Sequence, residues 1–409
     1  MLKRPSPISL FAGFALSVFG AIIFNIGGLF AGRSAVFLQN LKDYIPWIFL
    51  IYPLLLTVRG DINGILTGKL GTALHLGTIY PSWKRRTDRL YQLIGLLFFL
   101  SVYDSILIGC VTSLLGYFFK LNIHFVDFLK IVSIALTTFV LTSILSISIV
   151  FSLTFFLYRR KKDPDVYAYP LTSSLNDIII TLIFVASCWI YQPWQIDRFL
   201  HFYLGIPIII ITLCLITLII IKYIRAEYFK QSFFQSIPAL TFTNFIAAGT
   251  GSVLAFFSDI LIQVPVLIVF YPAILSTIGD QSIILANTTT TKLHLGSIKP
   301  SLLTLKTQEF HITYGGIIVA GIIFTSLLSI IGFALVPKSI TLILYFQILA
   351  ILVVTNILSY IIISTIALST TFITYRIGLD PDSLVNPLLS STADLITTSI
   401  LVLMSLLIF

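Results

Sequence analysis

The chain has 409 residues, of which 57% are hydrophobic and only 10% charged. Soluble domains carry about 25% charged residues, so this chain cannot cover itself with a polar surface, and its main solvent is lipid. The net charge of +9 does not point to nucleic acid, because the lysines and arginines lie in short loops between apolar runs, where membrane topology accounts for them.

A membrane span needs about 20 mostly apolar residues. Eleven such runs are predicted, at 7–31, 44–80, 90–119, 126–158, 168–191, 199–224, 234–258, 262–298, 310–335, 339–374 and 386–409. The first is long enough to span and lacks a small-residue cleavage site, so no cleavable signal peptide is expected. Cys110, Cys188 and Cys214 each fall inside an apolar run, which excludes a disulfide framework or a cysteine metal cluster. If the N-terminus is cytoplasmic, sixteen loop lysines and arginines lie inside, among them Lys84, Arg85, Arg86, Arg159, Arg160 and Arg376, and six lie outside. The bias predicts a multi-pass protein of the cell membrane, N-terminus in and C-terminus out.

The second and eighth runs are related. Residues 52–82 and 271–301 align without a gap at an offset of 219, with 15 identities in 31 positions, including Tyr52/Tyr271, Pro53/Pro272, Gly60/Gly279, Asp61/Asp280, His75/His294 and Gly77/Gly296. A second block repeats at an offset of 217: Asp163-Pro164-Asp165 matches Asp380-Pro381-Asp382, followed by Pro170/Pro387, Ser173/Ser390, Ser174/Ser391 and Asp177/Asp394. A weaker echo pairs Pro7 and Gly20 with Pro238 and Gly251. Chance similarity between apolar helices reproduces leucines, not paired Gly-Asp and Asp-Pro-Asp motifs in register. The expected fold is therefore all-α and polytopic, about 11 transmembrane helices arranged 5+1+5 as two parallel repeats about a pseudo-two-fold axis. The predicted boundaries are 1–195 for the first repeat, 196–230 for a linking helix and 231–409 for the second repeat.

Asp61, Asp104, Asp177, Asp280 and Asp394 all fall within spans. A carboxylate at the bilayer centre costs at least about 2.5 kcal/mol, so such groups face a bundle interior, a wet path or a partner charge. The second span of the first copy also carries Gly60, Asn63, Gly64, Gly68 and Gly71. A continuous helix over 44–80 would far exceed the hydrocarbon core, so a break, kink or strong tilt is expected there. Carboxylates, freed carbonyls and Asn, Ser and Thr oxygens make hard-ligand chemistry, suited to Mg²⁺ or Ca²⁺. Structural roles stand beside these. Asp61 and Asp280 also fit as caps of a half-helix, and the unpaired Asp104 suits a structural hydrogen bond. His75 and His294 are read as interfacial packing rather than metal ligands, and the Asp-Pro-Asp turns as helix-initiating signals. Arg59 and Lys69 are expected to snorkel or to pair with a carboxylate.

With those residues laid out, the chain resembles the MgtE family of magnesium transporters and channels, in the solute-carrier 41 (SLC41-like) branch where two repeats are fused. The resemblance rests on Gly60-Asp61 through Thr72, His75 and Gly77, on Gly279-Asp280 through Thr291, His294 and Gly296, and on the two Asp-Pro to Ser-Ser-x-x-Asp segments ending at Asp177 and Asp394. It implies Mg²⁺ as the transported ion, with no organic cofactor, no enzymatic activity and no obligate protein partner. It also carries the family's role of lining the central ion path onto Asp177 and Asp394. Asp61, Asp280, Asn63 and Asn176 complete the candidate metal-binding set. Na⁺ or H⁺ is open as a coupling ion. The sequence departs from the family in having Asp rather than Asn after the span-two glycine, and Thr288 where the first copy has Lys69. The family's cytoplasmic sensor domains are not seen in it, so gating by them is not expected.

Two other readings are weighed. A secondary transporter of a small organic solute also uses repeats and broken helices, but it calls for aromatic or cationic anchors rather than acidic and small polar groups. An intramembrane aspartyl protease would use Tyr103-Asp104 with Gly279-Asp280, yet the Gly-Asp pair recurs in the first copy, where no protease needs it.

Overall fold

The computed structural model describes residues 6–42, 44–85, 87–119, 125–160, 164–191, 198–258, 263–294, 296, 298–335, 341–377 and 381–409. The side chains at 125–126, 164–168, 198–206, 302–303 and 381–384, and those of Thr72, His75 and His294, lie outside the description. The described residues form helices and no strand: α1 Pro7–Ile22, α2 Gly27–Ala35, α3 Ile48–His75, α4 Asp88–Phe118, α5 Phe125–Arg159, α6 Pro164–Tyr191, α7 Arg198–Tyr223, α8 Glu227–Phe256, α9 Val266–His294, α10 Gln308–Ala334, α11 Leu342–Ile377 and α12 Pro381–Ile408. With α1 and α2 counted as one interrupted span, ten are long and apolar enough to cross a membrane. The eleventh run is α7, whose described apolar part is Pro207–Tyr223. The chain is an all-α polytopic membrane protein.

Local chemistry sets the helix ends. Thr87 and Thr307 accept hydrogen bonds from the backbone of Leu90 and Phe310, each at 3.3 Å, and so cap α4 and α10. Helices α6 and α12 begin at Pro164 and Pro381, where a proline loses no helical hydrogen bond. That agrees with the helix-initiating reading, although Asp163 and Asp380 themselves lie outside the described residues. Gly77 and Gly296 take φ values of +67° and +70° just beyond α3 and α9. Only glycine enters that region at no steric cost, so the repeated Leu-Gly is the closing cap of both helices.

Of the break, kink or strong tilt expected in the second span, a break does not occur. Helix α3 runs unbroken for 28 residues and α9 for 29, through Gly60-Asp61 and Gly279-Asp280, so neither aspartate caps a half-helix. The excess length is tolerated because these helices are clad by protein rather than lipid: 94% of the apolar window of α3 and 89% of that of α9 are buried. Gly60 serves packing instead. A Cβ on Gly60 would lie 3.0 Å from Ser390 Oγ of α12.

The interruption is in the first span, where a 3₁₀ turn at Ile23–Ile26 separates α1 from α2. From there α2 crosses to the other repeat. A Cβ on Gly32 would sit 2.0 Å from the Val269 carbonyl of α9, and one on Gly251 would sit 2.3 Å from the Leu50 carbonyl of α3. These contacts are equivalent at an offset of 219, which also pairs Asn25 with Asn244. The echo that matched Gly20 with Gly251 is therefore out of register, and Gly20 has nothing near its Cβ position. The true correspondence escapes an apolar alignment because its few informative positions are the close-packing glycines and one asparagine. On the axis, the Tyr52 and Tyr271 rings lie 6.5 Å apart. Their hydroxyls reach Thr181 at 3.2 Å and Thr398 at 3.0 Å, the same bond in each half.

Candidate ion path

Helices α3 and α9 carry the polar residues of the centre, and α6 and α12 pack against both. Asp177 on α6 and Asp394 on α12 are nearly inaccessible. Each accepts a short hydrogen bond from a hydroxyl of the other repeat: Ser276 Oγ to Asp177 Oδ2 and Thr57 Oγ1 to Asp394 Oδ2, both 2.6 Å. Thr57 and Ser276 occupy matched positions at the 219 offset. Asp280 accepts from Asn25 Nδ2 at 2.9 Å, and Ser174 in turn donates to Asn25 Oδ1 at 2.8 Å. Asp61 accepts from Ser391 at 2.9 Å. Every repeat-related carboxylate is thus held by the opposite half, as hard oxygen ligands at an interface between repeats require if neither half is to make the site alone.

Arg59 pairs with a carboxylate, one of its two expected fates. Its Nη2 donates to Asp177 Oδ1 at 2.5 Å and its Nη1 to the Ser173 carbonyl at 2.9 Å. Arg59 is 6% exposed, and its Nε has no partner among the described residues.

Three of the six candidate residues meet. Asp177, Asp280 and Asp394, with Arg59, Tyr169 and Ser390, line one central cavity of about 20 Å³, room for about one water. A larger cavity of about 260 Å³ between α1, α6 and α9 shares Tyr169 and Asp280 with it and reaches Asn287 and Thr288. Asp61 lies behind Gly60, fully buried, with its Oδ1 unpartnered among the described residues. Asn63 and Asn176 do not join the carboxylates. They bond to each other at 3.2 Å and line a separate cavity of about 20 Å³ inside the first repeat, with Ser101, Thr142 and Ser146. Asp104 is also apart, bonded to Asn244 at 2.9 Å. Among the described residues no three His, Cys, Asp or Glu side chains converge as a metal cage.

The family model for MgtE, described as a divalent cation transporter, matches twice, over residues 52–187 and 271–404. The chain belongs to the MgtE family. The two matches fall on the two repeats, with α3 and α6 in one and α9 and α12 in the other. No curated protein and no solved structure matches the chain. Members of the MgtE family are transporters rather than enzymes, and divalent cation transport is the activity the family implies here. Sequence reading missed Asn25, Thr57 and Ser276 as parts of this candidate site. All three were legible as polar positions related by, or matched at, the 219 offset.

Proposed function

We propose that this MgtE chain moves Mg²⁺ across the membrane along the interface of its two repeats, between α3, α6, α9 and α12. The observation that carries the reading is the convergence of Asp177, Asp280 and Asp394, drawn from both repeats, on one buried cavity. A few carboxylates with hydroxyl neighbours suit an ion that keeps part of its water shell. The central cavity takes about one water-sized group, so the conformation is a closed one, and passage of a hydrated ion requires the surrounding helices to separate. The larger cavity beside Asp280 serves as a vestibule. With the N-terminus inside, as the charge bias favours, the C-terminal end of α9 and this vestibule face the cytoplasm. The repeats span 1–195 and 231–409, joined through the helix in 196–230, whose odd span restores parallel orientation.

The test is Mg²⁺ uptake into proteoliposomes holding the purified protein, with and without an imposed Na⁺ or H⁺ gradient. Uptake by the wild type that is abolished in Asp177→Ala/Asp394→Ala, with the variant eluting as a folded monodisperse protein, supports the path. Undiminished uptake in that variant sinks it. Competition by Ca²⁺, Mn²⁺ and Co²⁺ fixes the selectivity.

A further inference from the structure

The two repeats place several of the same groups around the central cavity, and they differ at Tyr169, whose match at the 217 offset is Asn386, and at Arg59. Thr57 matches Ser276, Ser173 matches Ser390 and Asp177 matches Asp394, but the partner of Arg59 is Ile278. The first half therefore brings a buried cation to its aspartate, and the second half brings an apolar side chain. The consequence is visible atom by atom. The described hydrogen bonds use both oxygens of Asp177, one for Arg59 and one for Ser276. They use a single oxygen of Asp394 and a single oxygen of Asp280.

We propose that Arg59 is a tethered counter-cation for Asp177, which makes the two halves of the ion path chemically unequal and leaves Asp394 and Asp280 to take the divalent ion. This deepens the cation-path reading and rests on it. Burying a guanidinium is costly unless it is paired and hydrogen-bonded, and the pair with Asp177 together with the Ser173 carbonyl meets that condition. Charge bookkeeping agrees. Three carboxylates and one guanidinium line the cavity; with the carboxylates ionised, as they are when a cation enters, the net charge is two negative, the complement of one divalent cation. Without the guanidinium the cavity would carry a third negative charge and would not be neutralised by a single ion. Asp177 acts here through Arg59: it holds the guanidinium by an ion pair, with the Ser173 carbonyl of α6 as its second partner.

The test is a rescue. In proteoliposomes of the full chain, Asp177→Ala frees Arg59 to swing onto Asp280 or Asp394, so Mg²⁺ uptake falls by about tenfold or more. Removing both charges in Arg59→Ile/Asp177→Ala restores uptake and the half-saturating Mg²⁺ concentration to within about threefold of wild type, because an apolar pair replaces a buried ion pair at little cost. Isoleucine is the residue the second repeat already places there. Asp394→Ala is inactive, and Arg59→Ile does not rescue it. A merely structural role for Arg59 would change the amount of folded protein, not the half-saturating concentration. If the double variant stays as inactive as Asp177→Ala while wild type transports, Asp177 is itself an ion ligand and the inference is overturned. If wild type carries no divalent ion, the cation-path reading falls first.

Discussion

Asn25, in the 3₁₀ turn of the first span, donates to Asp280 of the second repeat at 2.9 Å. Its counterpart Asn244 donates at the same distance to Asp104 of the first repeat. Each asparagine therefore crosses between halves, as the glycines Gly32 and Gly251 do on the same spans. The first span of each repeat is an exchanged arm: it supplies a hydrogen bond to a buried aspartate of the other half, Asp280 at the central cavity and Asp104 away from it.

Asn25→Ala leaves one oxygen of a buried carboxylate without its donor, which costs about 1–3 kcal/mol. It also leaves Ser174 without its acceptor. Because Asp280 lines the central cavity, both the thermal midpoint in detergent and the half-saturating Mg²⁺ concentration are expected to change. Asn244→Ala removes the matching bond at Asp104, away from the cavity, so it should lower the midpoint and leave Mg²⁺ dependence alone. Equal effects of the two variants on Mg²⁺ dependence would contradict this division.

Close approach makes a second prediction. Gly32→Leu and Gly251→Leu place atoms where the Val269 and Leu50 carbonyls already lie. Overpacking of this kind costs about 1–3 kcal/mol or more, and backbone cannot rotate away as a side chain can. Both variants should lose monodisperse protein in size-exclusion chromatography. Gly20→Ala, with open space around it, should behave as wild type. A well-folded Gly32→Leu would show that α2 does not cross α9 where the structure puts it.

How much of this was readable beforehand depends on which physical signal each feature leaves. The spans were legible because a hydrocarbon core demands long apolar runs, and the duplication because Gly-Asp and Asp-Pro-Asp do not recur by chance. The matched positions of Asp177 and Asp394, which line one cavity, followed from register. The unbroken α3 was not legible, because whether glycines break a helix or admit a neighbour depends on what packs there, and Ser390 comes from the far end of the chain. The exchange of the first spans left few matched positions, chiefly Asn25/Asn244 and Gly32/Gly251, in a mostly apolar background. The place of Asn63 and Asn176 was also beyond sequence. Both share spans with the carboxylates, yet they face the first repeat's own α4 and α5.

That placement separates amides from carboxylates functionally. Asn63→Ala removes bonds to Thr172 at 3.1 Å and to Asn176 at 3.2 Å, each worth about 1 kcal/mol. The thermal midpoint should fall, while Mg²⁺ uptake per folded protein stays within about twofold of wild type. Asp394→Ala should show the reverse pattern, with uptake lost and the midpoint little changed. An Asn63→Ala protein that is stable but inactive would bring the amide cavity into the ion path.

The vestibule can be tested by access. Asn287 lines the larger cavity that shares Tyr169 and Asp280 with the central one. Cys110 and Cys214 are exposed and Cys188 is buried, so replacing the first two by serine gives a background in which a new thiol reports alone. In that background Asn287→Cys should react with a small cationic thiosulfonate from the side facing the N-terminus. The attached positive charge should then block uptake, since a fixed cation near Asp280 opposes an entering one over several ångströms in a low-dielectric wall. Mg²⁺ at saturating concentration should slow the labelling, because the ion and the reagent compete for the same acidic surroundings. Reaction from the opposite side would reverse the orientation inferred from the loop charges while leaving the path intact. Labelling that leaves uptake unchanged would remove the vestibule from the route and return attention to the interface between α3 and α12.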